Sequence, residues 1–336
     1  MKAVEKSSRG PGLTLVDKRV RPVGEGDVVL EVAAAGICGT DIHILDDEFP
    51  YTPPVTLGHE FSGVVAEVGS AVDPGWLGAR VVSEAFYSTC GHCGPCRTGR
   101  LNLCSEKLPL GTKLDGGFAA RVVAPARNLH RIPDWLDLTE AALAEPLACV
   151  CNSLCDPGVV QPGDRVAVVG PGTIGQLAAQ VARAAGGTVL LIGTERDAER
   201  LALAQSLGFD VARADERDRI EAHGGGLGAD VVVECSGAEA GIHLALELTR
   251  RMGRYVQIGH AGRDVRIPFD LISYRELIVR AGQGAPPRAW TRAMSVIDSR
   301  ALDLGVLISE VAPLEDFARV FEDVRAGRGL KHLFAP

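Results

Sequence analysis

Several side chains that bind metals in proteins stand close together near the start of the chain. The stretch GICGTDIHILDDEFPYTPPVTLGHE, residues 36–60, contains Cys38, His43, His59 and Glu60. A catalytic zinc needs about three protein ligands and an open position, and thiolate and imidazole groups suit it. Cys38 and His59 would supply two ligands. Glu60, or the later Glu145 in LAEPLACV, would supply the third. The spacing predicts a catalytic zinc site whose third ligand is either Glu60 or Glu145.

Thr40 and His43 are polar residues of the same stretch that do not belong to the proposed ligand set. They follow Cys38 by two and five residues. Hydroxyl and imidazole groups can carry a proton between a reacting group and solvent. We therefore expect Thr40 and His43 to be catalytic residues, together with Glu60 beside His59.

A second cluster consists of cysteines alone. CGHCGPCRTGRLNLC places cysteines at positions 90, 93, 96 and 104. Four thiolates at short spacing close a tetrahedral zinc site, which leaves no position for a substrate. An iron–sulfur cluster is the alternative, but the glycines and the single loop favour zinc. The sequence predicts a structural zinc held by Cys90, Cys93, Cys96 and Cys104, with His92 exposed in the loop.

A glycine-rich loop follows a strand-like run in RVAVVGPGTIGQLAAQ. In a G-x-G-x-x-G turn between a strand and a helix, the glycines allow a tight turn, close approach of a pyrophosphate and helix packing. The helix N-terminus then offers free N–H groups to the phosphates. The expected cofactor-binding residues are Gly170, Gly172, Thr173, Ile174, Gly175, Glu195, Arg196 and Arg200.

The choice between NAD and NADP depends on two adjacent residues. Glu195 stands twenty residues after Gly175, where we expect the next strand to end. A carboxylate there accepts hydrogen bonds from ribose hydroxyls and repels a 2′-phosphate, whereas Arg196 would pair with that phosphate. We predict NAD, with Arg196 turned toward solvent, Asp197 or Glu199, and NADP as the alternative.

The surrounding sequence predicts a two-domain α/β protein. Residues 1–146 are divided by glycine and proline into short β-type runs such as DVVLEVAAAG and FSGVVAEVGS. In residues 147–281 the apolar runs RVAVVG, TVLLIG, ADVVVEC and GRYVQIG alternate with helical stretches such as DAERLALAQSLG and AEAGIHLALELTRR. This alternation predicts a doubly wound parallel sheet. Residues 282–336 resume mixed structure.

Composition excludes several other classes of protein. The net charge is −8 without a dense Lys/Arg cluster, which argues against a nucleic-acid partner. We expect no secretory signal, no membrane span and a cytoplasmic location. Nine cysteines without a signal disfavour a disulfide framework. The remaining thiols are expected to be buried and apolar: Cys149, Cys151, Cys155 and Cys235.

These motifs occur together and in order in one family. GICGTDIH, LGHEFSG, the four-cysteine lobe, AEPLACV and VVGPGTIG resemble zinc-dependent medium-chain dehydrogenases/reductases over essentially the full length. GTD, GHE and EPL resemble the polyol and threonine dehydrogenase branch, and IPFDLISYRELIV resembles sorbitol- or iditol-like enzymes. The resemblance implies a GroES-like catalytic domain, a Rossmann domain and a homo-oligomer, dimeric or tetrameric.

The resemblance also implies the reaction and the site. Cys38, His59 and a glutamate would hold the catalytic zinc, and both Glu60 and Glu145 would approach it. Thr40 would receive the substrate hydroxyl proton, which would pass through cofactor ribose toward His43. The expected activity is oxidation of a secondary alcohol of a polyol or sugar-like molecule by NAD(P), with two zinc ions per chain. The alternatives are an L-threonine 3-dehydrogenase, a simple alcohol dehydrogenase or a non-catalytic cofactor-binding protein.

Overall fold

The computed structural model describes residues 1–336 as two compact units. The first unit consists of Met1–Pro146, Ala285–Trp290 and Leu304–Pro336. The second consists of Leu147–Gly284 and Thr291–Asp303. None of the helices has the length and apolar character that a membrane crossing requires.

Eighteen strands and eleven helices follow one another along the chain. The elements before residue 155 are β1 Lys2–Lys6, β2 Thr14–Asp17, β3 Asp27–Gly36, α1 Gly39–Leu45, β4 Val55–Thr56, β5 Glu60–Val68, β6 Arg80–Ser83, β7 Phe86–Ser88, α2 Gly94–Arg97, β8 Leu108–Pro109, β9 Arg121–Pro125, β10 Leu129–Arg131, α3 Leu138–Ala141 and α4 Ala144–Leu154. The alternating region contains β11 Arg165–Val169, α5 Thr173–Ala184, β12 Thr188–Gly193, α6 Ala198–Ser206, β13 Asp210–Arg213, α7 Arg217–His223, β14 Ala229–Glu234, α8 Glu239–Leu248, β15 Thr249–Gln257, α9 Asp270–Tyr274 and β16 Ile278–Ala281. The last elements are α10 Pro287–Asp298, β17 Ile308–Ala312, α11 Phe317–Arg325 and β18 Lys331–Phe334.

The main sheet of the first unit is built around β3. Its strand order is β10-β6-β5-β3-β18-β17, and β9 also pairs with β3. β3 is antiparallel to β5, β9 and β18, and nearly all of its residues are buried, as its apolar sequence requires. The core beside it includes the edge-to-face pair Phe118 and Phe334, whose ring centroids are 5.1 Å apart. The C-terminal strand β18 is thereby fixed next to the end of β3.

The second unit contains the parallel sheet that the alternation predicts. Its order is β13-β12-β11-β14-β15-β16, and every neighbouring pair is parallel. The three central strands are almost entirely buried, which explains their continuous apolar runs. The predicted doubly wound sheet is confirmed. The strand order reverses between β11 and β14. In sheets of this kind, ligands bind at the point of reversal, beside the carboxyl ends of the strands.

Three details differ from the predicted elements. The edge strands β13 and β16 were not among the predicted strands. The helix expected to include TRR ends at Leu248, because Thr249 pairs with Ala229 in the sheet. The C-terminal range 282–336 is also divided, since Thr291–Asp303 lies with the second unit. There Asp303 N donates to Gln180 Oε1 at 2.7 Å, which ties this segment to α5.

Candidate active site and metal centres

Two neighbouring strand ends bring Cys38 and His59 to the same edge of the first unit. β3 ends at Gly36, β5 begins at Glu60, and these two residues face each other in the antiparallel pair. Cys38 lies two residues beyond one strand, and His59 lies one residue before the other. A Cβ atom on Gly36 would collide with the Glu60 carboxylate and lie 2.8 Å from Cε of Lys331. Glycine at position 36 therefore permits the close approach of these groups.

The first turn of α1 orients the thiol and the imidazole. Cys38 is the N-cap residue, and its backbone N–H donates to Asp41 Oδ2 at 2.9 Å. The other oxygen of this fully buried carboxylate lies 4.0 Å from His59 Nδ1. A carboxylate behind a metal-binding histidine can fix the ring orientation through a hydrogen bond, but at 4.0 Å this pair is a charge contact, and neither atom has a hydrogen-bond partner. Sequence analysis missed Asp41, although an acid three residues after a helix cap is a recognisable signal.

The three proposed ligands form one cluster. A sulfur of Cys38, a ring nitrogen of His59 and a carboxylate oxygen of Glu60 all lie within 4.8 Å of one another. Glu60 is buried, and Glu145 is buried in the first turn of α4. A thiolate, an imidazole and a carboxylate are a zinc donor set of the catalytic type. The residues therefore fit a catalytic zinc, with Glu60 in the cluster, whereas Glu145 is outside this 4.8 Å group and acts on His59 by its charge.

Charge interactions couple these residues strongly. Burial alone would lower the pKa of His59, but Cys38 and the carboxylates of Asp41 and Glu145 together raise this pKa well above its ordinary value. Burial raises the pKa of Asp41, while His59 and the Cys38 backbone N–H act in the opposite direction. The imidazole is thus surrounded by anionic partners, as a cation-binding site requires.

Lys331 is a buried cation that sequence analysis missed. Its ammonium group forms an ion pair with the Glu60 carboxylate and donates to Ile37 O at 2.9 Å. Its side chain is only 5% exposed. Burial would lower the pKa of Lys331, but Glu60 and Cys38 raise it above its usual value. Lys331 opens β18 beside His332, so it does not interrupt an apolar run, and the sequence does not show which residue it meets.

Thr40 and His43 lie on α1 close to Cys38 in the chain. Thr40 is partly buried in the first turn. The His43 side chain is 48% exposed, and its Nδ1 lies 3.1 Å from Glu48 Oε2. The helix therefore places Thr40 in the turn that follows Cys38 and an imidazole at the surface. Their catalytic roles remain predictions.

The four cysteines of the second cluster meet as the spacing predicts. Their sulfur atoms all lie within 4.8 Å of one another. The backbone N–H of Cys90 points at the Cys104 sulfur, 3.5 Å away, and helps to lower the pKa of Cys104 to about 7. The backbone N–H of Cys93 likewise points at the Cys90 sulfur, 3.4 Å away. His92 is exposed. This closed set of sulfurs fits a structural zinc.

The glycine loop connects β11 to α5 as expected. Gly170 has φ +99°, a conformation that favours glycine. Gly172 is the N-cap residue of α5, and Thr173 and Ile174 form its first turn. A Cβ atom on Gly175 would collide with the carbonyl oxygen of Gly170. The loop thus leaves backbone N–H groups at the start of α5 available to a phosphate.

Glu195 lies slightly beyond the position expected for it. β12 ends at Gly193, and Glu195 instead opens a short 3₁₀ helix that runs to Asp197. The strand stops because the Asp197 carboxylate accepts from both N and Oγ1 of Thr194, at 2.9 and 2.7 Å. Glu195 and Arg196 are both exposed after this turn.

Two other arginines of this region have carboxylate partners. Arg200 forms an ion pair with Asp197 at 3.5 Å. Arg213, at the end of β13, pairs with Asp215 at 3.0 Å. Asp215 accounts for most of the rise in the pKa of Arg213, and Glu195 contributes to it, which places Glu195 near this guanidinium. Both guanidinium groups therefore already face a carboxylate.

A buried carboxylate organises the loop beside the glycines. Glu234 ends β14 with no exposed surface, and its oxygens accept from the backbone N–H groups of Ser236 at 2.8 Å and Gly237 at 3.1 Å. Gln257 Nε2 donates to the same carboxylate at 2.7 Å. A Cβ atom on Gly170 would lie 2.7 Å from Ser236 N. Sequence analysis did not select Glu234, which holds the β14 loop against the glycine loop.

Comparison with known proteins accounts for both units. Residues 24–134 match the alcohol dehydrogenase GroES-like domain, and residues 173–299 match the zinc-binding dehydrogenase model. Sorbitol dehydrogenase of Halalkalibacterium halodurans is 36% identical over 342 residues, covering 100% of this chain and 99% of that protein. D-arabitol-phosphate dehydrogenase of Enterococcus avium is 34% identical over 338 residues, covering 98% and 96%. A solved structure from Sinorhizobium meliloti 1021, described as a zinc-binding dehydrogenase bound to NADP, is 36% identical with a TM-score of 0.90, covering 100% and 99%.

These similarities extend over the whole chain rather than one motif. The GroES-like match falls in the unit with both proposed zinc sites, and the second match covers most of the parallel sheet. They confirm the predicted fold class, and they favour an enzyme over a non-catalytic cofactor-binding protein. The chain therefore belongs to the zinc-dependent medium-chain dehydrogenases/reductases and is an oxidoreductase.

Proposed function

We propose that the protein oxidises a secondary alcohol of a polyol or sugar alcohol to a ketone, with a nicotinamide cofactor as hydride acceptor. The observation that carries this proposal is the cluster of Cys38, His59 and Glu60 in a chain that also has the glycine loop. Two of the relatives are dehydrogenases of sorbitol and of D-arabitol phosphate, which supports a substrate with several hydroxyl groups. Threonine as substrate receives less support.

Cys38, His59 and one of the two glutamates would hold the catalytic zinc. When bound, zinc supplies a Lewis acid that favours ionisation of the substrate hydroxyl. Thr40 would accept the hydroxyl proton, and His43, half-exposed at the surface, would release it to solvent. Asp41 would support the His59 ring through its charge. The sulfurs of Cys90, Cys93, Cys96 and Cys104 would hold a second, structural zinc.

NAD is the proposed cofactor, and NADP is the alternative. Glu195 would accept a ribose hydroxyl and repel a 2′-phosphate. Arg200 and Arg213 already have carboxylate partners, which supports NAD. The NADP bound in the Sinorhizobium relative supports the alternative. In that case Arg196, which follows Glu195 in the sequence, would pair with the 2′-phosphate.

The chain is also proposed to form a homo-oligomer through β16. This strand is at the edge of the parallel sheet. It exposes two apolar side chains, Ile278 at 62% and Val279 at 47%. An exposed apolar edge strand is an open template for pairing with another strand, and a second copy would cover it.

A substrate panel with purified, zinc-loaded protein tests the proposed function. Reduction of NAD and of NADP is followed spectrophotometrically with sorbitol, xylitol, arabitol, their phosphate esters, L-threonine, ethanol and benzyl alcohol. A polyol or its phosphate should give the highest kcat/KM. If ethanol, benzyl alcohol or threonine gives the highest value instead, the proposed substrate class is wrong.

A further inference from the structure

Two cysteines at the end of α4 take no part in either zinc cluster. Cys151 lies in the last turn of α4, and Cys155 directly follows the helix end. The backbone N–H of Cys155 donates to Cys151 O at 2.9 Å, so the helical turn continues through Cys155. Each thiol acts on the pKa of the other as a hydrogen-bond partner. The sequence predicts that both are buried, but only Cys151 is fully buried, whereas Cys155 is partly exposed.

A partly buried arginine lies at the helix end next to the partly exposed Cys155. The Arg280 guanidinium donates to Asn152 O at 2.9 Å and to the Asp156 carbonyl, which places it at the end of α4 beside Cys155. Arg292 of α10 contributes a second cation. The Asp156 carboxylate and the negative end of the α4 dipole act in the opposite direction. Thiolates become reactive in such electropositive, partly exposed surroundings.

The two thiols consequently differ in character. The hydrogen bond from Cys151 lowers the pKa of Cys155, and Arg292 and Arg280 lower it further against the effect of burial. The same pairing, together with burial, raises the pKa of Cys151. The partly exposed Cys155, with Arg280 at the same helix end, is therefore the better placed nucleophile, and the buried Cys151 lies one helical turn away.

The spacing also permits a covalent bond between them. Residues four apart on a helix have Cβ atoms about 5–6 Å apart, so a disulfide requires the pair to close by about 1–2 Å. Cys155 rather than Cys151 would make this movement, because it is the residue after α4 and is partly exposed, although its N–H is still bonded to Cys151 O.

We propose that Cys155 is a peroxide-reactive cysteine and that Cys151 resolves it as an intramolecular disulfide. The Cys155 thiolate attacks one oxygen of hydrogen peroxide, the O–O bond breaks, hydroxide leaves and a sulfenic acid forms. The Cys151 sulfur then attacks the Cys155 sulfur, the S–O bond breaks, and water leaves with the Cys151 proton. Two thiols are oxidised by two electrons, and one peroxide is reduced to two waters.

Peptide mapping of the zinc-loaded protein after treatment with hydrogen peroxide tests this inference. The tryptic peptide of residues 132–165 contains Cys149, Cys151 and Cys155. After oxidation it should become lighter by two hydrogen atoms, and fragmentation should locate the bond between Cys151 and Cys155. The result is read on one peptide, so oxidation of the zinc cysteines does not obscure it. Cys149→Ser is the matched control and should form the same bond.

Two further variants distinguish the attacking thiol from the resolving thiol. In Cys151→Ser, a dimedone-type probe should trap sulfenic acid on Cys155. In Cys155→Ser, both the cross-link and the probe adduct on this peptide should be lost. A bond that includes Cys149, a probe adduct on Cys151, or a reduced Cys155 at peroxide concentrations that oxidise Cys235 would overturn the inference. The wild-type map decides the question even if a variant fails to fold.

Discussion

The ammonium group of Lys331, five residues from the C-terminus, is paired with the Glu60 carboxylate, and both side chains are at most 5% exposed. Gly36 makes this contact possible, because any side chain there would occupy the same space. The C-terminal strand β18 therefore supplies the countercharge for a carboxylate of the proposed zinc cluster.

Lys331→Met should strongly destabilise the protein. In the zinc-free protein the substitution removes the ammonium group, keeps most of the side chain and leaves Glu60 as a buried, unpaired charge, which costs about 3–5 kcal/mol. Urea unfolding measures the change in the free energy of unfolding. Lys2→Met is the matched control, because the pair of Lys2 with Glu315 is exposed and its loss should change stability little. Equal effects of the two substitutions would contradict the importance of the buried pair.

His43→Gln should retain both zinc ions and slow alcohol oxidation. The exposed imidazole is the proposed exit for the substrate proton, and the deficit should be greatest at low pH, where release of a proton is hardest. The measurement is the pH profile of kcat together with zinc content. His243→Gln, a histidine of the second unit, is the control. Loss of zinc from the His43 variant would mean that this residue is a ligand rather than a proton carrier.

His223→Gln should weaken the dependence of stability on pH. Burial lowers the pKa of His223, although its bond to the Val166 carbonyl opposes this shift. Below the unfolded-state pKa of about 6.5, the unfolded chain therefore binds a proton that the folded chain does not. Stability should fall as the pH falls below this value, with a contribution of at most about 1.4 kcal/mol per pH unit.

The free energy of unfolding at several pH values between 7 and 5 tests this effect. The difference in slope between wild type and His223→Gln isolates the contribution of the histidine, since other titrating groups are common to both proteins. Identical slopes would show that His223 does not titrate differently in the folded state.

Glu195→Ala should reduce the preference for NAD. A repelled and unpaired 2′-phosphate costs on the order of 1–3 kcal/mol, which corresponds to a preference of roughly ten- to a hundredfold. Without the carboxylate, binding of NAD should weaken and NADP should be accepted. Steady-state kinetics with both cofactors on one substrate measure the ratio of kcat/KM. If the wild-type enzyme prefers NADP, Arg196 rather than Glu195 governs the site, and Arg196→Ala should then reverse that preference.

The sequence could predict the clusters whose members are close in the chain and chemically distinctive. Four cysteines within fifteen residues and three glycines within six rarely arise by chance, and the structure brings each set together. Cys38 and His59 were also predictable, because both stand next to strand ends in a Gly- and Pro-punctuated β region. Cys38 and His59 lie close together because β3 and β5 pair in a register that places Gly36 opposite Glu60.

The missed features depend on tertiary contacts or on weak patterns. Lys331 is 294 residues from Ile37, which accepts its hydrogen bond, and no local pattern encodes such a contact. Asp41 resembles an ordinary helix-capping residue. The edge strands β13 and β16 have only four residues each, include charged residues and are mostly not buried, so they lack the continuous apolar runs that identified the central strands.

Two zinc ions with separate roles are expected to occupy the two clusters, and the ion at Cys38 is expected to be required for alcohol oxidation. Zinc content and polyol-dependent reduction of NAD are measured on the same preparations of wild type, Cys38→Ser and Cys93→Ser. Wild type should contain two zinc ions per chain and turn over. Cys38→Ser should keep one zinc and its fold but lose turnover, whereas Cys93→Ser should lose the other zinc and much of its stability. Fully active wild-type protein with one zinc or none, or a Cys38→Ser variant with normal turnover, would contradict this assignment.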